Sequence, residues 1–394
     1  MFVFAQDVGL KMAVWRRFSV LLLMVFVLLP FCGLEAATKK PLKIFILAGQ
    51  SNMQGHAKIS TMEHIGMDPK TAPWLKELQN RDGSPAICKD IWISYLSTSG
   101  LKEGKLTAGY GASGEEFGPE LMFGMTLRKQ LDGPILIIKA AWGGKSLFTD
   151  FRPPSAGVFE DKEKESGHYF RLAVNHVNDV LSNLSRVYPD YDKNQGYELC
   201  GMVWFQGWND MVNGTIYPKR FSPGGYDAYS KLLAQFIDDM REELSVPKLP
   251  FVIGVMGMGG ATKEYRGGKK RYAGLHQNFR DAMAAPTALP RFKGNVVAVR
   301  TEKYWDPELS ELKLRDVEVG KELKKARQEK RMSRDEIRKL KKELLEKEFT
   351  ELELRKLTVG VSDKEFHYLG SGKVMAGIGI GFAEAVLSFL PQKK

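Results

Sequence analysis

Four short stretches hold the residue types from which hydrolytic chemistry can be assembled. "LAGQSNMQGHA" (47–57) places Ser51 directly after an apolar run, and "WGGKS" (142–146) supplies Gly143 and Gly144. "FQGWND" (205–210) supplies Gln206, Asn209 and Asp210, and "VSDKEFHYLGSGK" (361–373) carries His367 with Asp363 four residues upstream. A serine hydroxyl attacks an ester when a base takes its proton and hydrogen-bond donors face the developing oxyanion. Ser51 suits the nucleophile. Its own N–H, a glycine N–H from Gly143 or Gly144, and an amide side chain, Gln206 or Asn209, suit the donors. His367 suits the base, since a carboxylate beside an imidazole holds the tautomer that accepts the proton and stabilises the imidazolium that forms. Taken singly, each has a plainer role: "GQS" is a turn, His367 a cap for the last helix, and "WGGKS" lacks the Walker spacing GxxxxGK[ST]. Their joint occurrence at successive strand ends points to catalysis.

The elements that must position these residues are legible as apolar runs. Five of them, 42–48, 134–142, 197–206, 249–258 and 295–300, are continuous and rich in β-branched residues, as in strands buried on both faces of a parallel sheet. Amphipathic stretches at 116–131, 168–187, 226–244, 271–285 and 372–390 alternate with them, which predicts a doubly wound α/β sheet covered by helices. Ligands of such sheets bind beyond the carboxyl ends of the strands, where the first three blocks fall. The connections 52–115 and 143–167 are long for a compact domain, as functional loops often are. Trp142, Trp204 and Trp208 lie on or next to these blocks and suit either sugar stacking or the core.

From about 306 to 357 the composition changes to dense Glu, Lys, Arg and Leu, with a capping box at Ser333–Glu336 that starts a second helix. This predicts a charged helical hairpin inserted before the final helix. Leu340, Leu344 and Leu345 form one apolar stripe, so the hairpin docks on the body or on a protein partner.

With 394 residues and 43% hydrophobic composition the chain can bury a full core. Arg16 and Arg17, the apolar run after them and the small residues near Ala36 and Ala37 have the layout of a cleaved signal peptide over 1–37, so a secreted or periplasmic protein is expected. The run is short for a membrane span, and Cys32, preceded by Pro30 and Phe31, makes a poor lipoprotein signal. Cys88 and Cys200 then allow one internal disulfide at most. No CxxC or HExxH motif suggests a metal. The net charge of +11 sits largely in the first segment and the charged insertion, and no nucleic-acid motif accompanies it.

With these blocks in place the chain resembles the SGNH (GDSL-like) hydrolase superfamily, and within it the sialate O-acetylesterase-like and carbohydrate esterase family 6 acetylesterases. Gly49 to Met53 match their Gly-Gln-Ser-Asn-Met block, Gly143 and Gly144 the paired-glycine block, Gln206 and Gly207 the Gln-Gly block, and "FGPELMFG" (117–124) a further common segment. The resemblance covers roughly 41–305 and 358–390. It implies one hydrolase domain over 38–394 with a three-layer α/β/α, flavodoxin-like fold and a five-stranded parallel sheet. It also implies hydrolysis of acetyl esters on sugars without metal or organic cofactor, with Ser51 as nucleophile and His367 as base. Two positions depart from the pattern. Trp208 stands where the sugar-esterase subgroup has glutamate, although Gly207 to Asp210 fit the wider superfamily's GxND block, so Gln206 and Asn209 both qualify as oxyanion donors. The superfamily's DxxH would place the acid at Lys364; Asp363, which a loop one residue longer still orients, is favoured over Glu365 or a backbone carbonyl, giving an expected Ser51-His367-Asp363 triad.

The expectation is a secreted carboxylic ester hydrolase acting on O-acetylated carbohydrate of the acetylxylan or sialate type. Two alternatives stand beside it: a catalytically impaired carbohydrate-binding or scaffold protein, and an esterase or thioesterase for less polar acyl groups.

Overall fold

Leu42, Ile44, Phe45, Ile46, Leu47 and Ala48 point alternately to opposite sides of a strand, yet none is more than 1% exposed. Strand β1 (Leu42–Gly49) is therefore covered on both faces, each large side chain contributing roughly 1.5–3 kcal/mol of burial. In the computed structural model, which describes residues 39–391, β1 lies at the centre of a seven-stranded sheet. The other strands of the described residues are β2 (Ala57–Lys58), β3 (Ile91–Ser97), β4 (Gly100–Lys105), β5 (Glu116–Phe117), β6 (Ile135–Ala141), β7 (Tyr197–Phe205), β8 (Phe251–Val255) and β9 (Val296–Arg300). The sheet order is β4-β3-β6-β1-β7-β8-β9, parallel except for the edge strand β4, while β2 and β5 form a small antiparallel pair.

The five apolar runs are β1, β6, β7, β8 and β9. The sheet is larger than the five strands expected, because 52–115 contributes β3 and β4. Ser94 in β3 is fully buried and donates to Glu103 Oε1 of β4 at 2.7 Å, so polar residues sit where an apolar pattern was sought. β4 is a mostly exposed edge strand, which needs no apolar face.

Helices precede, follow and cover the strands: α1 (Ser51–Gln54), α2 (Met62–Gly66), α3 (Ala72–Leu78), α4 (Glu120–Gln130), α5 (His168–Ser182), α6 (Leu184–Val187), α7 (Trp208–Val212), α8 (Asp227–Glu243) and α9 (Ala273–Ala284). After them come α10 (Pro307–Glu329), α11 (Arg334–Glu348), α12 (Glu351–Gly360) and α13 (Gly372–Leu387). Adjacent residues of β7 face opposite layers: Phe205 packs edge-on against Phe382 of α13, and Trp204 lies 4.2 Å from the Phe236 ring of α8. Phe45 meets Phe123 of α4, and Phe236 meets Phe170 of α5. The charged insertion folds as three helices instead of two. Ser333 caps α11 as its capping box predicts, and a second box, Thr350 with Glu353, starts α12. Its Leu312, Val319, Phe349 and Leu357 form a small core apart from the main one, packed by Leu344 and Leu345.

Cys88 and Cys200 are free thiols. Among the described residues no helix is long and apolar enough to cross a membrane. The expected signal peptide over 1–37 and Cys32 lie outside the described residues.

Candidate active site

Ser51 is the first residue of α1, immediately beyond the carboxyl end of β1, and is 7% exposed. A Cβ on Gly49 would stand 2.2 Å from the Phe205 carbonyl oxygen, so only glycine lets β1 end this close to β7. The chain then turns so tightly that the N–H groups of Met53 and Gln54 both bond to the Gln50 carbonyl. Gly143 lies against this turn: a Cβ there would come within 3.0 Å of Gln54 Oε1 and 3.9 Å of Ser51 Cβ. Gly144, next to it, adopts φ +73°, a left-handed conformation that favours glycine. The N–H groups of Ser51, Gly143 and Gly144 have no acceptor among the described residues.

A buried amide network joins the three blocks. Gln50 Oε1 accepts from Gly207 N at 2.9 Å and Gln206 Nε2 at 3.2 Å, while Gln50 Nε2 donates to Asn209 Oδ1 at 3.0 Å. The Gln206 amide also donates to Lys145 O at 3.0 Å and Asp210 Oδ2 at 2.6 Å, so its hydrogens are engaged internally. Asn209 is only partly buried, and with its oxygen held by Gln50 its Nδ2 has no partner among the described residues. Asp210 fixes the paired-glycine loop by accepting from the Leu147 and Phe148 N–H groups at 2.7 and 3.0 Å and from Tyr217 Oη at 3.1 Å. Burial pushes its carboxyl above the ordinary value, against the pull of these hydrogen bonds.

Beneath α1 lies a fully buried ion pair. Lys139 Nζ, on β6, reaches Glu120 Oε2 at 2.8 Å and the carbonyls of Gln54 and Tyr110 at 2.8 and 2.7 Å. Burial holds the ammonium below its usual range in spite of Glu120. The sequence shows this lysine inside an apolar run, and that interruption is the signal that could have found it.

His367 comes from the loop before α13. Ser362 and Asp363 N–H groups both bond to the Leu369 carbonyl, and His367 and Leu369 N–H groups both bond to the Lys364 carbonyl, closing the loop on itself. Tyr368 and Leu369 take left-handed φ values of 54° and 61°, strained for side chains of this size. The buried Tyr368 ring anchors them, its hydroxyl 2.6 Å from Thr301 Oγ1 and accepting from Gly257 N at 2.7 Å. This closure brings Asp363 Oδ2 to 2.6 Å from His367 Nδ1. Glu365 pairs instead with Lys269. Burial raises the Asp363 carboxyl, but the His367 hydrogen bond, the Lys364 N–H and the nearby imidazoles outweigh it and hold the group below the usual value. Asn52 Nδ2 donates to the Phe366 carbonyl at 3.1 Å, which ties the residue after Ser51 to the residue before His367. Ser51 Oγ itself accepts only a long hydrogen bond from Gln50 Nε2 at 3.5 Å, and none joins it to His367.

His56 escaped the sequence reading although it stands five residues after Ser51. Its ring stacks on His367 at 3.9 Å and 2° between planes, with Nδ1 3.5 Å from the same Asp363 oxygen. Burial first, then the charge of His367, lower it to about 4, so it is neutral at pH 7. Among the described residues, His56, Asp363 and His367 are a group whose possible ligand atoms lie close enough together for a metal ion. Their geometry does not suit one: the nitrogen lone pairs of two parallel, stacked rings cannot converge on a single ion. Trp142 and Trp204 are core residues, whereas Trp208 is half-buried beside Phe366, with ring centroids 5.3 Å apart. These two rings line a cavity of about 550 Å³.

A family model described as carbohydrate esterase, sialic acid-specific acetylesterase matches residues 41–288. The match takes in Ser51, Gly143, Gly144, Gln206 and Asn209 and ends before Asp363 and His367. Among solved structures, a protein from Arabidopsis thaliana is 19% identical, with 66% of this chain and 86% of that one covered and a TM-score of 0.40. A carbohydrate acetylesterase from Xanthomonas citri is 14% identical, with 65% of this chain and 49% of that one covered and a TM-score of 0.34. No curated protein sequence matches the chain at a significant level.

Proposed function

Since the chain belongs to the carbohydrate esterase, sialic acid-specific acetylesterase family and is therefore an esterase, we propose that it hydrolyses O-acetyl esters of carbohydrate with Ser51, His367 and Asp363. In this reading His367 Nε2 takes the Ser51 hydroxyl proton as Oγ attacks the acetyl carbonyl. Asp363 holds Nδ1–H and so keeps Nε2 the basic nitrogen. The oxyanion is met by the N–H groups of Ser51 and of Gly143 or Gly144 and by Asn209 Nδ2. Asn209 takes this role rather than Gln206, because the Gln206 amide is already engaged by Gln50, Lys145 and Asp210. Collapse of the intermediate expels the sugar hydroxyl, which recovers its proton from His367, and water repeats the sequence on the acetyl-enzyme. Two imidazoles share one carboxylate, and the neutral His56 ring would keep the His367 ring from tilting away from it.

The observation that carries the reading is the 2.6 Å contact between Asp363 and His367 on a loop tied by Asn52 to the Ser51 turn. Ser51 Oγ and His367 are not hydrogen-bonded in this structure, and catalytic hydrogen bonds are often long or poorly aligned before substrate binds, so the reading takes this contact to form with a bound ester. Export through residues 1–37 is part of the proposal, supported by Arg16, Arg17 and the apolar run that follows. The chain from residue 38 is expected to release acetate from p-nitrophenyl acetate and from acetylated xylan or O-acetylated sialic acid. Ser51→Ala lowers that rate by roughly 10⁴-fold or more, and an unchanged rate would sink the assignment. Apolar lining by Met211, Val212, Met258 and Leu275 favours a second reading, less polar acyl groups; faster hydrolysis of octanoyl than of acetyl esters would select it.

A further inference from the structure

We infer that helix α10 and the basic segment 266–271 extend the esterase cleft into a groove for an acetylated polysaccharide that carries carboxylates. The inference rests on the proposed Ser51 and His367 centre. Two cavities, of about 550 and 530 Å³, adjoin the loop that carries Asp363 and His367, and Lys269, Leu314 and Glu365 line both. Each alone is in the ~300–1,000 Å³ range of a small-ligand site, so the pair has room for more than the sugar unit being deacetylated. Trp208 and Phe366, the chain neighbours of Asn209 and His367, belong to the first cavity; Ser362, Asp363 and Lys364 belong to the second. Ser51 and His367 line neither cavity, so in this proposal a chain seated at Ser51 reaches them past Trp208 and Phe366 on one side and past Asp363 on the other.

The far wall of the second cavity is one face of α10. Ser310, Lys313, Leu314 and Val317 recur at three- and four-residue spacing and all line it. Leu314 and Val317 are 55% and 43% exposed, although Leu312 and Val319 of the same helix are buried in the small core of the insertion. Their exposed side chains supply an apolar strip along this wall. This wall lies beyond residue 288, where the family match ends, so it is an addition to the matched segment.

Charge selects the occupant. The first cavity has Arg220, Lys269 and Arg271 against one carboxylate, Glu365, which Lys269 already binds. The second has Lys269, Lys313 and Lys364 against Glu365 and Asp363, and Asp363 is held by His367. Lys313 pairs with Asp316, but Arg220, Arg271 and Lys364 have no carboxylate partner among the described residues. Unneutralised cations beside the aromatic rings of Trp208, Tyr272 and Phe366 match sugar rings bearing carboxylates, whose apolar faces cover the rings while the acids meet the cations.

The test compares chemically acetylated polygalacturonate with acetylated glucomannan and p-nitrophenyl acetate, on the chain from residue 38, at 20 and 200 mM salt. Calorimetric binding of unacetylated oligogalacturonate measures the groove without turnover. Expected are a kcat/KM at least tenfold higher for the acidic than for the neutral polymer, a severalfold loss of that preference at high salt, and measurable oligogalacturonate binding. Arg271→Glu should raise KM for the acidic polymer about tenfold with kcat within twofold, and weaken oligogalacturonate binding to match. The double variant Leu314→Ser with Val317→Ser, at exposed positions the fold does not need, should raise KM for both polymers more than for p-nitrophenyl acetate. Equal, salt-insensitive rates on the two polymers, or variants that change every substrate by one factor, overturn the groove. So does a wild type that fails to bind oligogalacturonate while Leu314→Ser with Val317→Ser alters self-association, which would make the α10 face a protein-docking surface. Failure to hydrolyse p-nitrophenyl acetate while oligogalacturonate binds refutes the catalytic reading and leaves the groove standing.

Discussion

Around Ser51 the polar groups are sealed: Gln50, Gln206 and Asp210 are 1% exposed, and Glu120 and Lys139 are fully buried. Around His367 they are open: the Asp363 side chain is 25% exposed and Glu365 nearly half. The first rim is held by hydrogen bonds that have no water to fall back on, so loss of any partner strands another buried group. The second is held by its own backbone closure and one buried ring, Tyr368, and its carboxylate remains partly hydrated. Substitutions on the serine side should therefore cost stability together with activity, while those on the histidine side should cost activity nearly alone.

The sharpest way to break this comparison is Asp363→Asn. The amide presents the wrong hydrogen-bonding edge to Nδ1, so kcat on p-nitrophenyl acetate should drop by about 10⁴ with little change in thermal midpoint. A variant within tenfold of wild type would show that another group orients His367. Next is Glu120→Gln, remote from substrate but leaving Lys139 buried without its counter-charge. Urea unfolding should reveal a loss of roughly 3–5 kcal/mol, and a loss below about 1 kcal/mol would show that the ion pair does not hold α1. Asn209→Ala comes third, expected to lower kcat by about 10²–10³, as for removal of one oxyanion donor, and to cost roughly 1–3 kcal/mol because the buried Gln50 Nε2 loses its acceptor. Gln206→Ala should destabilise by a similar amount but leave kcat within about tenfold of wild type, and the reverse pattern in kcat would exchange the two roles.

The smallest expected effect is His56→Gln, read in acid. His56 titrates near 4 in the folded chain and near 6.5 when unfolded, so the unfolded chain binds more protons between those values. Its contribution to stability is complete above about pH 6.5 and is lost as pH falls toward 4, with a slope of at most about 1.4 kcal/mol per pH unit. Removing the imidazole should flatten acid unfolding over that window by up to this amount, while His276, also lowered to about 4 by burial, retains its share. A pH profile of unfolding identical to wild type would mean that His56 is not buried as described.

The blocks at Ser51, Gly143, Gln206 and His367 were visible because each couples an unusual residue type to the end of an apolar run or the start of a helix. Asp363 was legible as the favoured acid four residues before His367, but its departure from the DxxH spacing left the contact open until the left-handed turn at Tyr368 and Leu369 folded the chain back. β3 was missed because Ser94 and its bond to Glu103 replace an apolar contact inside the sheet, and β4 because an exposed edge carries no apolar periodicity. The third helix of the insertion had its own signal, Thr350 followed by Glu353, which the long charged run disguised. Lys139 and His56 were in plain view, but a lone lysine in a strand or a histidine after a turn means little until its partner is known.

By itself the sequence determined the alternation of strands and helices, the family, and which strand-end loops carry the serine, the paired glycines and the imidazole proposed to act together, because these follow from local patterns of polarity and residue type. Only the tertiary structure decided which amide is free to donate, which carboxylate reaches His367, that a second imidazole stacks upon it, and that α10 lines a cavity beside the Asp363 loop. Those are choices among distant groups competing for the same few buried partners, and burial resolves them only once the chain has closed around them.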